Sequence, residues 1–300
     1  MHLLSIADLE AKQVNALLKR AAQLKRKPGG RGRLPLRGRT LALLFERPST
    51  RTRVSFEAAM AQLGGASIFL DSQQLQLSRG ETMVDTARVL SRYVSAVAAR
   101  VARHSTLEEM AAYSTAPVIN ALSDLEHPCQ VLADLLTVQE RLGRLNDVKV
   151  AWVGDGNNVC NSWLLASALT GVRLAVATPK GLEPNGGVLG RARSMGADVE
   201  LTRNPFQAVK GADVVYTDVW VSMGDESAAK QRRQQLAAFQ VNADLVRAAK
   251  PGALVMHCLP AHRGEEITDD VMDGPQSVVF EQAENRLHLQ KALLLRLLES

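Results

Sequence analysis

Leu41-Ala42-Leu43-Leu44-Phe45-Glu46-Arg47-Pro48-Ser49-Thr50-Arg51-Thr52-Arg53-Val54-Ser55-Phe56-Glu57 is the stretch that decides the fold of this chain. Its apolar run, Leu41–Phe45, has the unbroken character of a strand buried on both faces. Pro48 ends that run, and apolar residues then return at helical spacing: Val54, Phe56, Ala59, Met60 and Leu63. A strand that turns directly into a helix is the building block of parallel α/β sheets. It brings unbonded N–H groups and the positive end of a helix to the edge of the sheet. Ser49, Thr50 and Thr52 add hydroxyl donors there, and Arg51 and Arg53 add permanently charged forks. A dianionic phosphate fits such a place. So does an ordinary capped helix with solvated arginines, because Ser and Thr are favoured N-caps. No G-x-x-x-x-G-K-[ST] is present, so the run is not a Walker loop.

The alternation continues outward from this stretch. Strands are predicted near 40–45, 66–70, 95–101 and 117–121, with helices near 7–27, 50–64, 81–93, 105–113 and 128–142. The second half predicts strands near 148–153, 172–177, 197–201, 213–217, 253–257 and 277–280. Its helices fall near 158–170, 187–195, 206–211, 229–239, 242–249 and 281–298. This pattern implies two doubly wound parallel-sheet α/β domains, with ligands at the carboxyl ends of the strands and a hinge near Arg141–Asp147.

Bulk composition removes other classes. A chain of 300 residues with 46% hydrophobic content can bury a large core. No apolar run reaches the length of a membrane span, and Met1–Asp8 lacks the layout of a secretory signal. Cys129, Cys160 and Cys258 are odd in number and widely spaced, which argues against disulfides and zinc and suits the cytoplasm. The pI of 9.3 is local in origin. Lys25, Arg26, Lys27, Arg31, Arg33, Arg37 and Arg39 crowd one Gly/Pro-containing stretch, and without these seven the chain has 29 basic and 31 acidic residues. With only 4% aromatic residues there is little to stack bases on, so the stretch reads as a solvated loop and no nucleic-acid partner is expected.

Other candidate residues also follow predicted strands. Arg100 ends the run Val94–Ala99. In Glu126-His127-Pro128-Cys129-Gln130, Pro128 suits the first helical position. His127 then lies near the N-cap, able to donate to a carbonyl oxygen, while Gln130 can bond an amide. Val153-Gly154-Asp155-Gly156-Asn157-Asn158-Val159 resembles a dinucleotide fingerprint but has Val159 where the third glycine belongs, and no acid ends the next strand. Asp218, after Asp213–Thr217, is a carboxylate suited to an amine, and Ser222 with the Met223 backbone could hold an α-carboxylate. Cys258 follows Ala253–His257 and, like most buried cysteines, could be inert packing.

Taken together these motifs resemble the aspartate/ornithine carbamoyltransferase family over residues 3–298. S-T-R-T-R at 49–53 with Ser55-Phe56-Glu57, Arg100, H-P-C-Q at 127–130, G-D-G-N-N at 154–158, S-M-G at 222–224 and H-C-L-P at 257–260 match its pattern in order. The last three point to the ornithine branch, since the aspartate branch carries H-P-L-P-R at the final motif. Pro48 and Arg79-Gly80-Glu81 are closer to the aspartate branch, but both touch the phosphate side that the branches share.

The resemblance implies transfer of a carbamoyl group from carbamoyl phosphate to the δ-amine of L-ornithine, in arginine synthesis or breakdown, without metal or organic cofactor. It assigns the phosphate to Ser49, Thr50, Arg51, Thr52, Arg100 and a partner subunit's Gln76, with Arg79 a competitor for that last place. It gives the carbamoyl group to His127, Gln130, Arg286 and the Cys258/Leu259 backbone, and ornithine to Asn158, Asp218, Ser222 and Met223. Arg51, His127, Asp218 and Cys258 carry the catalytic roles, with no covalent cysteine intermediate. The resemblance further implies a homotrimer or stacked trimers. It divides the chain into a carbamoyl-phosphate domain, 1–140 with the returning C-terminal helix 284–300, and an ornithine domain, 146–280. The rival readings are carbamoylation of aspartate or a modified ornithine, a NAD-dependent dehydrogenase, and a nucleic-acid module on residues 25–39.

Overall fold

A computed structural model describes residues 1–26, 34–221 and 229–299. The chain divides into two compact units, Met1–Leu136 with Glu284–Ser300, and Thr137–Ala283. The first unit carries α1 (Ala11–Arg26), β1 (Thr40–Phe45), α2 (Thr50–Leu63), β2 (Ala66–Asp71), α3 (Met83–Tyr93), β3 (Ala96–Arg100), α4 (His104–Tyr113) and β4 (Val118–Leu122). Helix α5 (Pro128–Leu142) runs across the division. The second unit carries β5 (Lys149–Val153), α6 (Asn158–Thr170), β6 (Arg173–Ala177), α7 (Gly186–Ser194), β7 (Val199–Thr202) and α8 (Pro205–Val209). It continues with β8 (Val214–Thr217), α9 (Ala229–Leu236), α10 (Ala243–Arg247), β9 (Leu254–His257) and the one-turn α11 (Asp269–Met272). Helix α12 (Val279–Leu298) returns to the first unit, where Lys25 Nζ donates to Asn285 Oδ1 at 2.8 Å and Lys291 Nζ to Gln62 Oε1 at 2.9 Å.

Both sheets are wholly parallel, in the orders β2-β1-β3-β4 and β7-β6-β5-β8-β9. Strand order reverses between β1 and β3 in one and between β5 and β8 in the other. Those are the switch points where helices leave to opposite faces and a crevice opens at the carboxyl ends. The central strands are buried throughout, Leu41–Phe45 in β1 and Val150–Val153 in β5, as parallel strands covered on both faces must be. In the second unit Trp152 stacks on Tyr216 at 5.0 Å and Trp163 meets the same ring edge-on.

Two expectations change. The strand near 277–280 is absent: Ser277 forms one isolated bridge with Val255, and α12 begins at Val279. Val278-Val279-Phe280 carries β-branched and aromatic residues that read as a strand, yet only Val255 N–H to Gln276 and Val278 N–H to Val255 pair there. The short α11 has no counterpart in the sequence reading. Among the described residues no helix is long and apolar enough to cross a membrane.

Candidate active site

In the first unit, Ser49 caps α2 from an extended conformation (φ −160°, ψ 104°), its hydroxyl accepting from Thr52 N–H. Thr50 and Arg51, in the first turn of α2, are exposed, whereas Thr52 is fully buried. Parallel pairing sets Arg100 beside Phe45 at the end of β3. Arg286, buried on α12, donates from one nitrogen to Thr52 Oγ1 at 2.8 Å and from another to Gln130 Oε1 at 2.9 Å. Gln130 in turn donates to the buried carboxylate of Asp134 at 2.8 Å, which fixes its amide with the oxygen toward Arg286.

His127 lies buried just before α5. Burial, with Arg286 and Arg100 adding their charge, holds its imidazole well below the ordinary 6.5. It is therefore neutral near pH 7 and able to donate to a carbonyl oxygen without adding charge. Cys129 beside it is pushed up to about 12 by burial, and its thiol sits 3.4 Å from Asn120 O as packing. The structure thus brings Ser49, Thr52, Gln130 and Arg286 into one bonded cluster, with His127 and Arg100 close enough to feel Arg286 or one another. Arg53 does not join it. Its guanidinium pairs with Glu57 at 2.9 Å and covers the Phe69 ring at 3.8 Å. Gln76 opens a 3-10 turn, Gln76–Arg79, and both Gln76 and Arg79 are exposed.

The second unit places its candidates after β5, β8 and β9. Gly154 takes φ 132°, and a Cβ on Gly156 would lie 2.2 Å from Pro184 N, so the G-D-G turn demands glycine twice. Asn157 caps α6 and Asn158 is its first residue. Because Thr217 pairs with His257, the next residues, Asp218 and Cys258, stand side by side at the sheet edge. Cys258 Sγ donates to Asp218 Oδ1 at 2.8 Å, Val219 N–H to the same oxygen at 2.8 Å, and Asn157 Nδ2 to Oδ2 at 2.6 Å. Leu259 adopts φ 61° and donates its N–H to His257 Nδ1 at 2.9 Å. His257 Nε2 then carries the proton and faces Glu266 Oε1 at 3.1 Å, both side chains fully buried. Ser222 and Met223 lie outside the described residues.

Sequence reasoning missed Asn157, Glu266, Asp134 and Arg232. Arg232 pairs with Asp155 at 2.7 Å and donates to Trp220 O at 3.3 Å, tying α9 to the G-D-G turn. Only Asn157 had a local signal, as the N-cap of a helix; Asp134 acts one turn along its helix, Glu266 across a loop from His257, and Arg232 on a partner remote in sequence. Two groups of potential metal ligands occur among the described residues, Asp218/His257/Cys258 and His262/Glu265/Glu266. In the first, both His257 nitrogens and both Asp218 oxygens are already engaged by protein donors and acceptors. In the second, Glu266 Oε1 already serves His257 and His262 N–H.

One unit therefore offers a cation-lined helix N-terminus with a neutral imidazole, the other a carboxylate and thiol at a switch point; together they define a two-domain α/β group-transfer enzyme. Residues 1–140 match the aspartate/ornithine carbamoyltransferase carbamoyl-P binding domain, and residues 146–297 match the Asp/Orn binding domain. The chain is 57% identical over 298 residues to an ornithine carbamoyltransferase of Archaeoglobus fulgidus, covering 99% of this chain and 97% of that one. It is 55% identical to the protein named anabolic ornithine carbamoyltransferase in Pyrococcus furiosus, covering 97% of this chain and 94% of that protein. The solved structure of an ornithine carbamoyltransferase from P. furiosus superposes with a TM-score of 0.94 at 53% identity, over 99% of this chain and 96% of that one. The chain belongs to the aspartate/ornithine carbamoyltransferase family.

Proposed function

We propose that the chain transfers the carbamoyl group of carbamoyl phosphate to the δ-amine of L-ornithine, giving L-citrulline and phosphate. The observation that carries the acceptor is Asp218, buried at the end of β8 with its carboxylate held by Asn157, Val219 and Cys258. A fixed carboxylate attracts an amine-bearing side chain and repels the second carboxylate of aspartate. Asn158, Ser222 and Met223 are assigned to the rest of ornithine.

Donor binding falls to the N-terminus of α2, where Ser49, Thr50, Arg51 and Thr52 with Arg100 hold the phosphate. Neutral His127 donates to the carbamoyl oxygen, and Arg51 and Thr52 add to the stabilisation of the negative charge that grows there. Gln130, Arg286 and the Cys258/Leu259 backbone orient the carbamoyl amide. The δ-nitrogen attacks the carbonyl carbon, the bond to the phosphate oxygen breaks, and phosphate leaves with its electron pair. Asp218 and Cys258 orient the amine, the Asp218 carboxylate receives its proton, and the thiol remains non-covalent. Arg51, His127, Asp218 and Cys258 are the catalytic residues of this scheme. Positioning of an already activated donor supplies much of the rate, so the scheme calls on no metal or organic cofactor.

The assembly we assign is a homotrimer, alone or stacked, in which the partner subunit's Gln76 completes the phosphate site. Its support is that Gln76 is exposed in its own unit. Mixing inactive Arg51→Gly and Gln76→Ala chains would restore activity if sites are shared, and would restore none if each chain works alone. Relatives named anabolic are consistent with a place in arginine synthesis, and three free cysteines fit a reducing cytoplasm. The substrate assignment is tested by offering labelled carbamoyl phosphate with ornithine and, separately, aspartate. Saturable citrulline formation supports it, and formation of carbamoyl-aspartate refutes it.

A further inference from the structure

We propose that Asn157 is a positioning residue for the acceptor side of the reaction: locked by the N-terminus of α6, its amide sets the orientation of the Asp218 carboxylate. The inference rests on the acceptor reading of Asp218 given above.

The amide is fixed from one side. Asn157 Oδ1 accepts from Val159 N–H at 2.9 Å and from Cys160 N–H at 3.1 Å. Two backbone donors can meet only the oxygen of an amide, so Nδ2 must point the other way. There it donates to Asp218 Oδ2 at 2.6 Å. A donor at that distance requires an acceptor, so Oδ2 faces the amide as its acceptor.

The other oxygen has its own partners. Asp218 Oδ1 receives Val219 N–H and the Cys258 thiol, each at 2.8 Å. Among the described residues three donors thus occupy the roughly four lone-pair sites of this carboxylate, leaving one directed acceptor position for an incoming amine. Of these donors, Val219 N–H belongs to the next residue and moves with Asp218. Cys258 is a weak donor on a rotatable side chain. Asn157 has its amide fixed by two backbone N–H groups of α6, and through it the α6 backbone defines which way the carboxylate faces. Capping alone would not select asparagine here, because Ser and Asp cap a helix as well.

That equivalence gives the test. Asn157→Ser keeps the cap but removes the donor to Asp218. We expect thermal stability within about 2 °C of wild type. Its kcat/KM for ornithine should fall about 10- to 100-fold while KM for carbamoyl phosphate stays within about twofold. Asn157→Asp also keeps the cap but sets a second carboxylate against Asp218. Its deficit should exceed that of Asn157→Ser at about pH 8 and shrink, relative to wild type, as pH falls, because protonating one of two facing carboxylates restores a donor.

If both variants match wild type, or if the Asn157→Asp deficit is independent of pH, the inference is overturned and Asn157 is a cap only. If Asn157→Ser fails to fold, the pH dependence of Asn157→Asp decides alone. Asp218→Asn, run alongside, separates the two levels. Unchanged ornithine kinetics in that variant would refute the acceptor reading, whereas a crippled Asp218→Asn beside a normal Asn157→Ser would refute only the positioning role.

Discussion

The N-termini of α2 and α6 leave the central strands β1 and β5 of their sheets, and both are capped by side chains that accept backbone N–H groups, Ser49 in one and Asn157 in the other. Around that shared backbone the charges are opposite. The first carries Arg51 in its opening turn and has a Thr52 hydroxyl bonded to Arg286. The second has its cap bonded to the Asp218 carboxylate, while the Asp155 carboxylate in its turn is paired with Arg232. A helix end carries only about half a charge, less than one guanidinium or carboxylate, so the side chains decide what is bound. In the first unit the positive helix end adds to the cations, and the sum favours an external dianion. In the second it meets the protein's own carboxylate, which is then available to an amine. In the proposed scheme one local architecture thus serves a donor and an acceptor of opposite charge.

The first way to break this comparison is to empty the centre of the cationic cluster. Arg286→Ala leaves Thr52 Oγ1 and Gln130 Oε1 without their buried donors. We expect a stability loss of about 2–4 kcal/mol in denaturant titration, together with weaker carbamoyl-phosphate binding. Unchanged donor affinity would mean that the cluster is structural only. On the other side, Gly156→Ala sets a methyl 2.2 Å from Pro184 N and 2.5 Å from Glu183 C. Both are backbone atoms that cannot swing aside, so an equilibrium loss of about 1–3 kcal/mol is expected, with weakened ornithine kinetics as the turn shifts. A variant as stable and active as wild type would contradict the close approach.

A smaller effect reads the electrostatics of the donor side through pH. The imidazole of His127 is held well below 6.5 in the folded state, so its contribution is complete above the unfolded value and is lost as pH falls below it toward the depressed one. Each pH unit in that window costs about 1.4 kcal/mol, a slope that His127→Gln should remove from the pH–stability curve. A wild-type curve with the same slope as the variant would place the charge of His127 elsewhere. The smallest effect distinguishes the two arginines of the opening motif. Arg53→Ala removes an exposed pair with Glu57 and the contact over Phe69, worth about 0.5–1 kcal/mol together, and should leave carbamoyl-phosphate KM unchanged. A marked rise in that KM would place Arg53 in the cradle.

Much of this was legible because the pattern is local. Apolar runs followed by capped helices marked the strands of both sheets, and the proposed site residues other than Arg286 lie at or beyond those strand ends, where doubly wound sheets gather ligands. The separate fates of Arg51 and Arg53 were also readable in principle, since residues two apart on a helix do not share a face. What was hidden depends on partners far along the chain. The bonds of Arg286 to Thr52 and of Arg232 to Asp155 span 234 and 77 positions, and no spacing rule anticipates them. Glu266 is nearer to His257 in sequence, but its role follows from complete burial, which composition does not show. The false strand at 277–280 failed for the converse reason: β-branched residues mimic a strand wherever tertiary pairing does not decide.

The most direct test of the opposed-charge account is a matched kinetic measurement of citrulline formation in Arg51→Gly and Asp218→Asn, varying each substrate against saturating levels of the other. The account predicts that Arg51→Gly raises the carbamoyl-phosphate KM about 100-fold or more with a small change for ornithine, and that Asp218→Asn lowers kcat/KM for ornithine by a comparable factor with the donor KM nearly unchanged. Equal damage to both substrates in both variants, or the reverse assignment, would contradict it.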